Sequence, residues 1–351
     1  MSDGTRNIRY GDYLNLDRIL ESQNPPGPDG VPRPLAHHDE MLFVVIHQIY
    51  ELWFKQVTHE AVHARNLLAA DDVPESDIPR VVAAMNRIHE IFRIAVAQFS
   101  VLETMTPADF LAFREHLGSA SGFQSAQFRE FEILAGLDES RRIEYDGASF
   151  ENHFDEKARA RFAERRAEPS LKDALHTWLM RTPVEDGFAE KYLQAFTGYV
   201  DKQRTLHSGN TQLGDKERTA IAARLDSYLK ACRNFLEGDG ADLRRAALFI
   251  TAYPDAPLLH SPSRVLEAAC EFDQWFRIWR FRHARMVERM IGVRVGTGGS
   301  SGVGYLDATA KAYRIFSDVT QARSFLIPAD LLPPLDDPGR FKFAKDAQRR
   351  S

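Results

Sequence analysis

"HHDEMLFVVIHQIYELWFKQVTHEAVHA", residues 37–64, decides the fold. At about 100° per residue, Phe43, Ile46, His47, Tyr50 and Phe54 fall on one narrow stripe, which is the period of an α-helix and not of a strand. The first half is apolar nearly all round, so this helix is expected deep in the molecule. Five of the 28 residues are histidines. A histidine in such surroundings must find a hydrogen-bond partner or a ligand, because an unpaired buried polar group costs about 1–3 kcal/mol. His59 and His63 project from roughly the opposite side and, around Glu60, spell H-E-x-x-H. That motif can ligate zinc, with the glutamate as general base, but it needs a third ligand. His89 or Glu90 in "RIHEIF" are the candidates, and a structural role for His59 and His63 is the simpler reading.

The period holds over residues 39–70 and runs outward through 80–101, 106–117, 125–136, 155–181, 185–204, 216–236, 240–252, 262–291 and 303–321. No alternating run bounded by Asn-Gly or Asp-Gly turns competes with it, so the chain is expected to be all-α, a single large helical domain. Pro and Gly gather at 24–34, expected as a mobile loop, at 296–304, and at 332–340, where a loosely held tail begins. The net charge of −5 argues against nucleic acid or an acidic membrane surface as the main partner. Arginines cluster in "RARFAERRAE" (159–168), but interleaved acids make a solvated helix face the better reading. Cys232 and Cys270 stand far apart, without the spacing of a disulfide framework or a cysteine zinc site. The N-terminus lacks an apolar signal core, and no apolar run approaches the roughly 18 residues of a membrane span. A cytoplasmic protein is expected.

A second histidine sits in a helix that Ser261 would cap, Pro262 begin and Gly292 end. Its stripe runs Phe272, Phe276, Trp279, His283, Met286, Val287, Met290. One imidazole among apolar walls suits a haem iron, and equally an ordinary core histidine. Arg114 shares a stripe with Phe110, Phe113 and Leu117. Arginine keeps its charge, so if buried it needs an anion: a ligand carboxylate, or an internal partner such as Glu132 or Asp273. "GTGGSSG" (296–302) has no preceding strand and is no nucleotide fingerprint, although Thr297 and backbone N–H groups there could face an anion.

Three long segments, "HDEMLFVVIHQIYELWFKQ", "FREHLGSASGFQSAQFREFE" and "WRFRHARMVERMIGVRVGTGGSSGVGYL", closely resemble the signature segments of the tryptophan 2,3-dioxygenase family. "YGDYLNLDRILESQNP" and "ARSFLIP" extend the resemblance over most of the chain, with 137–215 the least telling part. The resemblance implies a cytosolic enzyme with haem b, ferrous in activity, opening the indole ring of L-tryptophan with O2. It implies His283 as the axial iron ligand, and His47 as the catalytic distal histidine that accepts the indole N–H. Phe43 would pack on the indole ring, Arg114 hold the substrate carboxylate with Phe110 beside it in the substrate-binding set, Thr297 bind the ammonium and carboxylate end, and Ser121 would lie on the distal side. Tyr10, Tyr13 and Leu14 would reach the pocket of a neighbouring subunit in a homotetramer. The expected organisation is thus residues 1–36 as an exchanged segment, 37–328 as the haem and substrate domain, and 329–351 as the tail.

Physical chemistry agrees with these roles: an apolar slot recognises indole, and a cation with a hydroxyl fixes the amino-acid end. Indole N–H is far too weak an acid for an imidazole whose unperturbed pKa is about 6.5, which makes His47 an orienting acceptor. Some bacterial members carry tyrosines where this sequence has Phe110 and Phe128. Relatives from natural-product pathways act on modified tryptophans, some inserting one oxygen atom to give an oxindole, and the same four residues would serve them. That haem monooxygenase is the alternative expectation.

Overall fold

The computed structural model describes residues 7–27, 29–144, 149–292, 294 and 302–335. Among these residues the chain is helix, turn and loop without a strand, as the period of the sequence requires. The helices are α1 (Tyr10–Leu14), α2 (Leu16–Leu20), α3 (His38–Leu68), α4 (Ile78–Leu102), α5 (Pro107–Arg114), α6 (Ala126–Ala135), α7 (Glu156–Arg166), α8 (Leu171–Leu179), α9 (Phe188–Ser208), α10 (Asp215–Glu237), α11 (Ala241–Ala252), α12 (Pro257–Ile291), α13 (Val303–Ala312) and α14 (Ser317–Thr320). The three longest, α12, α4 and α3, pack side by side as the central layer. Helices α5, α6 and α8 close on α3, and α13 closes on α12. None is long and apolar enough to cross a membrane.

Local chemistry sets the helix ends. Thr106 caps α5 through the Asp109 N–H, Asp109 returns the bond, and Pro107 takes the first turn, where its missing N–H costs nothing. Ser170 and Asp173 repeat the device at α8. Gly292 ends α12 at φ 59°, a conformation that favours glycine.

Three helices differ from the periodicity reading. The stretch 155–181 is two helices, because Pro169 disfavours helical backbone at Glu168 and Ser170 then starts α8 afresh. The long helix begins at Pro257, with Ala256 at the N-cap position and no side-chain cap, and not at Ser261. Pro262 therefore lies inside it, and burial of Leu259, Ser263 and Val265 in the same turns offsets the lost backbone bond. The stretch 303–321 breaks at residues 313–316, where the side chains of Tyr313, Ile315 and Phe316 enter the core and Arg314 stays exposed. There the Ile315 N–H donates to buried Asp273 at 2.8 Å and the Ile143 N–H donates to the Tyr313 hydroxyl at 3.0 Å. The 24–34 segment, expected as a mobile loop, turns back on itself. Gly27 N–H donates to the Val31 carbonyl at 2.8 Å, and Arg33 grips Glu40, wholly buried at the start of α3. The arginine-rich face of α7 is also more than solvated: Arg161 meets Glu130 at 3.1 Å, and Phe162 anchors a small core with Phe150 and Phe154.

The main core is aromatic. Phe276 lies 5.2 Å from Phe92, 5.8 Å from Phe131 and 5.9 Å from Phe272, centroid to centroid, and is fully buried. Emptying it should cost about 3–5 kcal/mol, whereas a surface change stays within about 0.5 kcal/mol. Urea denaturation of Phe276→Ala and Ile94→Ala should show that contrast; equal effects would mean that this ring cluster is not the core.

Candidate functional site

A cavity of about 250 Å³ opens between α3, α4, α5, α6, α12 and α13. Its walls collect residues far apart in sequence: Phe43 and His47 from α3, Phe110 and Arg114 from α5, Ser121 from the turn before α6, and His283 from α12. Six of the residues singled out from the sequence thus share one cavity. Tyr10, Tyr13 and Leu14 do not join them in this single chain; they lie on α1, exposed by 76%, 76% and 38%. Thr297 falls outside the described residues, as do most of the glycine-rich segment and of the tail.

His283 is held by its rings' neighbours. Trp279, one turn earlier, lies nearly parallel to it at 5.3 Å, and Phe99 of α4 at 5.9 Å. Desolvation, with smaller contributions from His47 and Arg280, holds its pKa down to about 4, so at neutral pH the ring is uncharged. His47 is fixed differently. Its Nδ1 lies 2.7 Å from the Phe43 carbonyl, one turn back, and a carbonyl can only accept, so Nδ1 carries the proton and Nε2 keeps its lone pair. Desolvation lowers this pKa too, against the opposing pull of the Phe43 carbonyl and Glu51. The Phe43 ring covers His47 at 4.1 Å and meets Phe110 at 5.8 Å and Phe113 at 5.6 Å. Tyr50 is tied by its hydroxyl to the Ala95 carbonyl at 2.8 Å.

The charged part of the wall is the feature that the periodicity conceals. Glu132, fully buried, accepts from Arg129 at 3.0 Å, from Arg142 at 2.8 Å and from Arg280. Burial works against its charge, but the three guanidiniums prevail and hold its carboxyl well below the usual carboxylate range. Glu132 and Asp273, the internal partners considered for Arg114, are thus engaged by these arginines and by the Ile315 N–H respectively. The only trace in the sequence is that Arg280 shares the apolar face of His283.

The H-E-x-x-H residues lie elsewhere. Glu60 is paired with Arg87 at 2.7 Å and accepts from Gln56, His59 is exposed, and His89 is bonded to Asn86. No group of three potential ligands among the described residues is arranged for a bare metal ion.

This fold and cavity define a helical protein with an enclosed, mainly aromatic pocket whose wall carries two imidazoles, His47 and His283, and the guanidiniums of Arg114, Arg129 and Arg280. Comparison with known proteins places it further. Residues 1–326 match the family model described as tryptophan 2,3-dioxygenase. The protein named tryptophan 2,3-dioxygenase 2 of Ralstonia nicotianae is 40% identical, over 97% of this chain and 99% of its own length. Relatives named tryptophan 2,3-dioxygenase from Bdellovibrio bacteriovorus (37% identical, over 93% of this chain and 95% of the relative) and Dictyostelium discoideum (36%, over 94% and 86%) span as much. The chain belongs to the tryptophan 2,3-dioxygenase family.

The Glu132 cluster sets a stability test. Removing its charge strands three guanidiniums, so Glu132→Gln should cost about 3–5 kcal/mol in urea denaturation. Because the folded-state pKa is depressed, the cluster contributes fully above the unfolded value of about 4.3 and fades as pH falls further below it. The variant should therefore approach the parent's stability in acid; a gap independent of pH would contradict the assignment.

Proposed function

We propose that the chain is a haem-dependent, cytoplasmic dioxygenase that cleaves the C2–C3 bond of L-tryptophan with O2, giving N-formyl-L-kynurenine in tryptophan catabolism by the kynurenine pathway. The observation that carries this reading is the convergence of His283, His47, Phe43 and Arg114 on one aromatic cavity, in a chain whose relatives bear that enzyme's name. The monooxygenase alternative gains nothing, since no residue observed here favours insertion of a single atom.

The residues present fit haem b. Walls of Phe, Trp and Met suit a porphyrin face, and a lone imidazole suits a metal that brings its other ligands with it. A ligating nitrogen must be unprotonated, and His283 is kept so. Haem, when bound, supplies the ferrous iron that binds and activates O2. The chain supplies the rest. His47 accepts the indole N–H at Nε2, the nitrogen left bare by its Phe43 bond, and so fixes the ring's rotation. Phe43 and Phe110 flank the indole, and Ser121 lies on the distal side. Arg114 takes the carboxylate in its two-pronged fork. The family resemblance gives Thr297 the ammonium and carboxylate end. The family resemblance gives a homotetramer, and the exposure of Tyr10, Tyr13 and Leu14 on a short helix is what a segment that docks on a neighbouring subunit would show. In that assembly residues 1–36 are the exchanged segment, 37–328 the catalytic domain and 329–351 the tail.

Losing a charge-assisted carboxylate clamp should raise KM for L-tryptophan about 10–100-fold in Arg114→Gln. His47→Ala should lower kcat/KM yet leave measurable turnover, because it removes an orienting acceptor and not an obligatory base. Steady-state product formation with the haem content matched checks both. An unchanged KM in Arg114→Gln, or complete inactivity of His47→Ala with haem retained, would contradict these roles.

A further inference from the structure

Three phenylalanine rings close one corner of the cavity, and only two of them face it. Phe43 of α3 and Phe110 of α5 line the wall. Phe113, one turn after Phe110, is wholly buried and lies behind that wall. Its centroid is 5.6 Å from that of Phe43 and 5.5 Å from that of Phe110, with the rings inclined by 65° and 85°. These are edge-to-face contacts, the arrangement that ring quadrupoles favour. Phe43 and Phe110 meet each other at 5.8 Å and complete the triangle. His37, at the N-cap of α3, stacks on Phe113 at 6.2 Å and is itself fixed by accepting the Asp39 N–H at 3.2 Å. The triangle thus ties the start of α3 to α5.

A packed interior has no spare volume the size of a ring, so Phe113 limits how far Phe43 and Phe110 can draw back from the cavity. Phe43 is limited again by His47, whose ring lies 4.1 Å from it. These two wall rings are the ones that flank the indole in the reading above. We propose that Phe113, which touches no substrate, sets the width of the indole slot and so decides which ring-substituted tryptophans the site accepts. This rests on the tryptophan reading of the cavity and adds the residue that bounds its substrate class. Phe113 is a positioning residue, acting through Phe43 and Phe110. In an apolar pocket one added carbon changes kcat/KM by about 10–200-fold, so a slot with a fixed wall discriminates on that scale. A smaller side chain at position 113 leaves a void behind both rings, into which they can retreat. The slot then widens while His47, bonded to the carbonyl of its own helix, keeps its place.

The test measures kcat/KM of the haem-loaded protein for L-tryptophan and for each methyl-L-tryptophan substituted on the benzo ring. The wild type should use at least one of these analogues about 10-fold or more less efficiently than L-tryptophan. In Phe113→Leu the ratio of that analogue to L-tryptophan should rise about 10-fold. Both substrates are measured on one sample, so the folded and haem-loaded fraction cancels, and a merely destabilised variant leaves the ratio unchanged. Phe113→Met, whose longer side chain fills more of the space, should give a smaller rise. Phe196→Leu removes an equally buried ring on α9, whose ring neighbours are Tyr199, Tyr228 and Phe325, and should leave every ratio as in the wild type. Ratios unchanged in both Phe113 variants would overturn the proposal, as would an equal rise in Phe196→Leu. Equal use of all the analogues by the wild type would overturn it without any variant. A wild type that turns over no L-tryptophan would overturn the reading of the cavity itself, a result distinct from these.

Discussion

Two imidazoles set into one apolar cavity have to stay uncharged, and much of the site follows from that constraint. Desolvation achieves it for both, and each ring is then fixed by a different device. His47 spends one nitrogen on the carbonyl of its own helix, whereas His283 packs beside Trp279 and Phe99, which also touch each other. The difference suits the proposed roles. An acceptor for the indole N–H needs one bare nitrogen at a set angle, and a metal ligand needs a bare nitrogen and a fixed ring plane. Both demands require α3, α4 and α12 to lie side by side, which is how the three longest helices pack.

Charge is kept at the margin of this apolar slot. Arg114 stands on α5, and Arg129 and Arg280 stand against Glu132. A buried ion cluster of this kind adds little net stability compared with an apolar replacement, but it is costly to break. Its value here is positional: it joins α6 to α12 beside the iron-ligand candidate. The Arg280 guanidinium is buried under the ring faces of Phe128 and Phe276, at 5.1 and 4.5 Å.

How much of this could be read from the sequence depended on the kind of signal. The stripe of Phe43, Ile46, His47, Tyr50 and Phe54 defined α3 almost to its ends, because a buried helix repeats every 3.6 residues whatever it packs against. Periodicity does not register a proline that restarts a helix at Ser170, nor a buried aspartate that draws Ile315 out of one. It also misplaced the start of α12, since a proline at the first turn and one inside the helix look alike in sequence. The cavity residues were legible one by one through the family resemblance. The ionic cluster was not, because three of its members, Glu132, Arg142 and Arg280, are brought together only by tertiary packing. The apolar pair Tyr10 and Tyr13 reads as an anchor in sequence, and in the single chain it is an anchor without a counterpart.

The central claim is that this cavity inserts both atoms of O2 into one indole ring. It is tested most directly by turnover of L-tryptophan by the reduced, haem-loaded protein under ¹⁸O2, with the product weighed by mass spectrometry. The account predicts N-formylkynurenine carrying two labelled oxygens. A singly labelled oxindole, or turnover only with a substituted tryptophan, would contradict it while leaving the fold and the cavity as described.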